Sequence, residues 1–151
     1  MNFFSSSGLV HVVDDDEAVR DSVQWLLEGR GYRVRCYESA EEFLERHDRR
    51  EVACVLVDMR MNGMSGLELQ DKLAEAKSPL PVAIITGHGD VPLAVDAMKK
   101  GALDFVQKPF TEEQIASLVE RLLEQAKASF ARHSQAATRE ALLGKLTGRE
   151  A

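Results

Sequence analysis

Five short apolar runs, each followed by a stretch with helical spacing, dominate this sequence and leave it few folds to adopt. The runs are Leu9–Val13, Arg33–Tyr37, Val52–Val57, Pro81–Ile85 and Asp104–Gln107. The third and fourth runs are apolar throughout, instead of alternating with polar residues, which suits central strands of a sheet covered on both faces. Strand followed by helix, repeated, makes neighbouring strands parallel. Helices are expected over 16–28, from Ser39 onward, over 66–76, over 91–100 and from Thr111 onward. Ser39 with Glu42, and Thr111 with Gln114, have the spacing of capping boxes. Ile115, Leu118, Val119, Leu122 and Leu123 then form one apolar stripe.

Five such units in so short a chain predict an α/β flavodoxin-like fold, a doubly wound five-stranded parallel sheet of order 2-1-3-4-5. Residues 126–141 are rich in Ala, Gln and charged side chains and contain no Pro or Gly, which predicts an extended C-terminal helix. With 151 residues and 44% hydrophobic content, one domain with an appendage is expected. No apolar run is long enough to span a bilayer and the opening MNFFSSSGLV lacks a basic n-region, so a cytoplasmic protein is expected. Cys36 and Cys54 lie in strand-like runs without metal-ligand spacing and read as buried free thiols. The net charge of −6 is uneven: residues 127–151 carry five Lys/Arg against Glu140 and Glu150, leaving the first 126 residues at −9. An acidic body of that kind is poorly suited to gripping a phosphate backbone.

In a doubly wound sheet, functional groups gather beyond the carboxyl ends of the strands. Those ends carry Asp14, Asp15 and Asp16 after the first strand, Asp58 after the third, Thr86 after the fourth, and Lys108 with Pro109 after the fifth. Each has an ordinary reading as well: acidic residues cap helices, Asp and Thr form turns, and a lysine is most often a solvated charge. Their coincidence at one edge is the informative feature. Clustered carboxylates repel one another, and a hard divalent cation such as Mg²⁺, with Mn²⁺ as an alternative, relieves that repulsion. Asp58 could then act as a nucleophile toward a phosphoryl group, with Lys108 and Thr86 contacting its oxygens.

The segments Val13-Asp14-Asp15, VLVDMRMNGMSGLEL and IITGHGDVPLAVDAMKKGALDFVQKPF, with their spacing, resemble a two-component response-regulator receiver of the FixJ type, with its CheY-like fold, over about residues 8–125. The resemblance implies that Asp14 and Asp15 hold Mg²⁺ together with Asp58 and the backbone carbonyl of Arg60. It implies that Asp58 accepts the phosphoryl group of a sensor histidine kinase, that Thr86 and Phe105 form the switch pair, and that Lys108 precedes a cis bond to Pro109. Such receivers catalyse their own phosphorylation and dephosphorylation without turning over a substrate, and they commonly form homodimers through the face of the fourth helix, fifth strand and fifth helix. Two departures stand out. Asn62 occupies a position where this family usually has Pro, implying a looser loop turned by Asn62-Gly63, and Asp16 adds a third acidic residue.

The terminal Leu146-Thr147-Gly148-Arg149-Glu150 resembles the start of a LuxR-type helix-turn-helix domain, although Thr147 and Glu150 also fit a plain capping box. The expected organisation is therefore an unstructured segment 1–7, a receiver 8–125, a helical linker 126–145 and the beginning of an output domain over 146–151. DNA would be bound only through that absent domain. The linker could join the dimer contact through Phe130, Leu142 and Leu143. Two other functions fit parts of the pattern. An aspartyl phosphohydrolase would usually carry a second Asp two residues after the nucleophile, where this chain has Arg60. A purely binding module of the same fold would have no need of the full set Asp14, Asp15, Asp58, Thr86 and Lys108.

Overall fold

A computed structural model describes residues 8–48, 50–87 and 89–150, with side chains through residue 132. The expected unstructured segment 1–7 lies outside the described residues. Five strands, β1 (Leu9–Val13), β2 (Arg33–Tyr37), β3 (Ala53–Asp58), β4 (Val82–Thr86) and β5 (Asp104–Gln107), form one parallel sheet of order β2-β1-β3-β4-β5. The helices are α1 (Glu17–Gly29), α2 (Ala40–Arg46), α3 (Gly66–Glu75), α4 (Val91–Lys99) and α5 (Glu112–Glu150).

Alternation along each strand divides the core into two layers. Val10 and Val12 of β1, Leu56 of β3 and Ile85 of β4 pack with Val23 and Leu27 of α1 and with the α5 stripe Ile115, Leu118, Val119, Leu122 and Leu123. Leu9, Val13, Val55, Val57 and Ile84 pack on the opposite face with Phe43 of α2, Leu69 and Leu73 of α3 and Ala97 of α4. β1 and β3 are buried along their whole length, whereas the edge strand β2 alternates with solvent.

Boundaries depart from the expected ones chiefly at the carboxyl ends of β3 and β4, which run one residue further, to Asp58 and Thr86. Apolar patterning registers side chains, but the backbone ladder continues past it, with Asp58 paired to Ile85 and Thr86 to Gln107. At the other end Pro81 falls outside β4; it has no N–H to offer, and its carbonyl accepts from Val55 at 3.0 Å. Ser39 caps α2, but Glu42 reaches the amide of Glu38 at 3.3 Å, one residue before the cap. The Thr111–Gln114 pair closes reciprocally, at 2.8 and 3.1 Å. A reciprocal box also starts α3, between Ser65 and Glu68, and its spacing was available in the sequence. Ser65→Ala is expected to cost about 1 kcal/mol in urea denaturation, since an orphan amide at N3 would lose its acceptor.

His11, in the middle of β1, is fully buried against Tyr37, Phe43 and His47. Its Nδ1 lies 3.0 Å from the Tyr37 hydroxyl. Burial, reinforced by His47 and Arg35, pushes its pKa down to about 3, so the ring is neutral at ordinary pH. Cys54 is buried and Cys36 partly buried, both as free thiols. Helix α5 runs without interruption through the expected linker and over residues 146–150. Phe130 folds back against the chain's own core, and the side chains of Leu142 and Leu143 lie outside the described ones. No helix among the described residues is long and apolar enough to cross a membrane.

Candidate functional site

Because all five strands are parallel, their carboxyl ends share one edge, and the polar residues of the sequence meet there. Asp14 follows β1 and is fully buried, Asp58 closes β3 at 7% exposure, and Thr86 closes β4 fully buried. Carboxylate oxygens of Asp14, Asp15 and Asp58 lie within 4.8 Å of one another. Lys108, just beyond β5, brings its Nζ to 3.3 Å from Asp14 Oδ2 and 3.7 Å from Asp58 Oδ2. The Lys108–Pro109 peptide bond is cis, and the Lys108 amide donates to the Thr86 carbonyl at 2.8 Å.

Burial raises the pKa of Asp58 to about 6; Asp14 and Asp15 add to the rise, while Lys108 and the Arg60 amide oppose it. Asp14 is also raised, again chiefly by burial and in spite of its lysine neighbour. One ammonium therefore does not balance the cluster. Asp14 Oδ1 accepts from the Asp16 amide at 2.9 Å, but the buried Oδ2 has no hydrogen bond, its contact with Lys108 being a charge contact without hydrogen-bond geometry. A buried, underpartnered carboxylate oxygen beside two further carboxylates is the donor set that a small hard cation takes, so these residues fit Mg²⁺.

Around this centre the other residues of interest take distinct positions. Asp16 turns to α1 as its N-cap, accepting from the Ala18 amide at 2.9 Å. The Thr86 hydroxyl makes only a long contact, 3.4 Å, to the Gly87 carbonyl. Phe105, partly buried, packs against the α2–α4 layer. Gly63, at φ +82, makes the turn expected of Asn62-Gly63. The loop that was expected to be looser is tied at two amides, Asn62 to Asp15 Oδ2 at 3.1 Å and Met64 to Glu41 Oε2 at 3.2 Å.

Three contacts had no signal in the sequence. Arg20 donates to the Asp14 carbonyl at 2.7 Å, fixing the turn that carries the acidic pair. The Arg60 side chain pairs with Asp90 at 2.7 Å, linking the loop after Asp58 to the start of α4. Gly66 lets α3 start directly on the Asp58 backbone, where an added Cβ would stand 2.7 Å from the Asp58 carbonyl oxygen.

The doubly wound parallel sheet brings an acidic trio and a lysine to one edge, and comparison with known families says which class this architecture belongs to: the chain is a member of the response regulator receiver domain family, whose model matches residues 10–120. Within that family it is similar to FixJ-type transcriptional regulators. It is 39% identical to the transcriptional regulatory protein FixJ of Bradyrhizobium diazoefficiens, over 97% of this chain and 71% of that protein. It is 42% identical to the response regulator protein TmoT of Ectopseudomonas mendocina, over 78% of this chain and 54% of the relative. The solved response regulator StyR superposes with a TM-score of 0.81 at 42% identity, covering 95% of this chain and 72% of that one. The chain thus spans from about half to about seven tenths of the length of these relatives.

Proposed function

We propose that this chain is a phosphorylation-driven switch in which Asp58 takes a phosphoryl group from the phosphohistidine of a sensor histidine kinase. The observation that carries this reading is the convergence of Asp14, Asp15, Asp58 and Lys108 at one sheet edge. Mg²⁺ would be held by Asp14, Asp15, Asp58 and the Arg60 carbonyl, and it supplies neutralisation of the charge that builds on the phosphoryl oxygens. An Asp58 carboxylate oxygen attacks phosphorus in line, the P–N bond to the kinase imidazole breaks, and the electron pair leaves with the imidazole. Lys108 sits within reach of Asp58 and balances one phosphoryl oxygen as a point charge. The Thr86 hydroxyl, weakly engaged before the reaction, is free to turn and donate to another.

The covalent group then biases a two-state equilibrium by the difference in its contacts with each state. Thr86 and Phe105 repack as the switch pair. Homodimerisation follows through the face of α4, β5 and α5, where Val95 and Met98 are exposed on α4, and the continuation of α5 as a linker can join that contact. Such a linker, over 126–145, would pass the change to a LuxR-type output domain beginning over 146–151, which would supply the DNA contact in a cytoplasmic transcription factor. The phosphohydrolase alternative needs an acid two residues after Asp58; Arg60 is there, and its side chain is committed to Asp90.

Intact-mass measurement after incubation with acetyl phosphate tests the reading. The expected result is a gain of one phosphoryl group in Mg²⁺ and none in EDTA. Phosphate release that continues well beyond one equivalent per chain would favour the hydrolase instead.

A further inference from the structure

The loop after β3 makes a contact with the acidic cluster that depends on one backbone N–H. The amide of Asn62 donates to Asp15 Oδ2 at 3.1 Å, across 47 residues of sequence. Asp15 is the exposed member of the trio, whereas Asp14 and Asp58 are buried. The two buried carboxylates have their rotamers limited by packing; an exposed one must be held by something else, or it spends most of its time turned to water. Two residues further on, the Met64 amide donates to Glu41 Oε2 at 3.2 Å, so the far side of the loop is anchored independently of Asp15.

We infer that the Asn62 amide is a positioning group for the cation site: it fixes Asp15 in the arrangement in which an oxygen of its carboxylate lies within 4.8 Å of those of Asp14 and Asp58. The inference rests on the reading of this cluster as the Mg²⁺ site. A donor on Oδ2 has two opposed effects. It draws electron density from the carboxylate, weakening it as a ligand, and it removes the rotational freedom that binding would otherwise have to remove. Outer-shell partners that orient a ligand generally strengthen metal binding, and their loss costs on the order of 10- to 100-fold in affinity. For a carboxylate open to water, which can substitute in part for the lost donor, the effect falls at or somewhat below the lower end of that range.

Among the common residues only proline removes this N–H, so two substitutions separate the amide from the side chain. Asn62→Ala keeps the donor and should bind Mg²⁺ within about twofold of wild type in calorimetric titration. Asn62→Pro should bind roughly 3- to 10-fold more weakly. Equal or tighter binding by the proline variant overturns the inference while leaving the phosphoacceptor reading in place. Wild type that takes up no Mg²⁺ at all overturns both. A spectroscopic readout stands even if the proline variant fails to fold. In a ¹⁵N–¹H spectrum of the metal-free protein, the Asn62 amide proton of the parent should lie downfield of its position in Asp15→Ala. An Asn62 resonance indifferent to that change would remove the contact on which the inference depends.

Discussion

Asp58→Asn is expected to abolish the phosphoryl mass gain and, in the metal-free protein, to raise stability at pH 7.5. The first effect follows from chemistry: an amide oxygen offers no carboxylate nucleophile, so uptake from acetyl phosphate should fall below detection. Persistence of the modification would mean that another residue accepts the group. The second effect follows from linkage. Burial raises Asp58 from 3.8 to about 6, so the folded chain keeps a proton that the unfolded chain releases between those values. Stability is therefore lost as pH rises through that window and stays lost above it. A neutral side chain escapes the loss, a difference on the order of 2 kcal/mol at neutral pH. The gap between variant and parent should close toward pH 4.

His11 titrates in the opposite sense. Its folded pKa, about 3, lies below the ordinary 6.5, so the stability of the neutral ring is present above 6.5 and is lost as pH falls. Between about pH 4 and 6 the two groups offset each other in the parent, and Asp58→Asn should reveal the steeper acid limb due to His11. Urea denaturation in EDTA at several pH values measures both effects, and a variant no more stable than the parent at pH 7.5 would contradict the charge imbalance at the site.

Gly66→Ala is expected to destabilise the fold by about 1–3 kcal/mol and to slow phosphoryl uptake by roughly tenfold. Helix propensity alone predicts the reverse, because alanine is favoured over glycine inside a helix by about 0.5–1 kcal/mol. The clash decides the sign. The new Cβ would stand 2.7 Å from the Asp58 carbonyl oxygen and 3.2 Å from the Met59 Cα, both backbone atoms with no side-chain rotation to relieve the contact. Relief has to come from moving α3 or the end of β3, and Gly66 is already tied to the Met59 carbonyl through its amide at 3.1 Å. The displacement would reach Asp58 directly. Denaturation midpoint and initial uptake rate together test this, and a stabilised variant with unchanged rate would show that the helix can shift without disturbing the acceptor.

Strand order was legible in the sequence because the central strands announce themselves by apolar runs and the repeated strand–helix units leave one common winding; which helices share a layer came only from the structure, where alternation along the strands separates residues facing α1 and α5 from those facing α2 to α4. Asp14, Asp15, Asp58, Thr86 and Lys108 were legible as a group for a topological reason: parallel strands deliver whatever follows them to the same edge. What patterning could not supply was any contact made by a backbone atom or a long side chain across elements. The Asn62 amide on Asp15 and Arg60 on Asp90 join residues distant in sequence, and Arg20 reaches back from α1 to the Asp14 carbonyl, all with residue types that are ordinary in turns and helices. The same blindness explains the strand ends, where polar residues close the hydrogen-bond ladder.

Helix α5 serves as one wall of the sheet and then goes on without a break well past Phe130, its last partly buried anchor among the described side chains. From that anchor to Glu150 is about 30 Å of rod at 1.5 Å per residue, so a reorientation of about 10° at the sheet would carry the far end by roughly 5 Å. A repacking too small to alter the core's outline would in this way reach the far end of the helix as a movement about the width of a side chain.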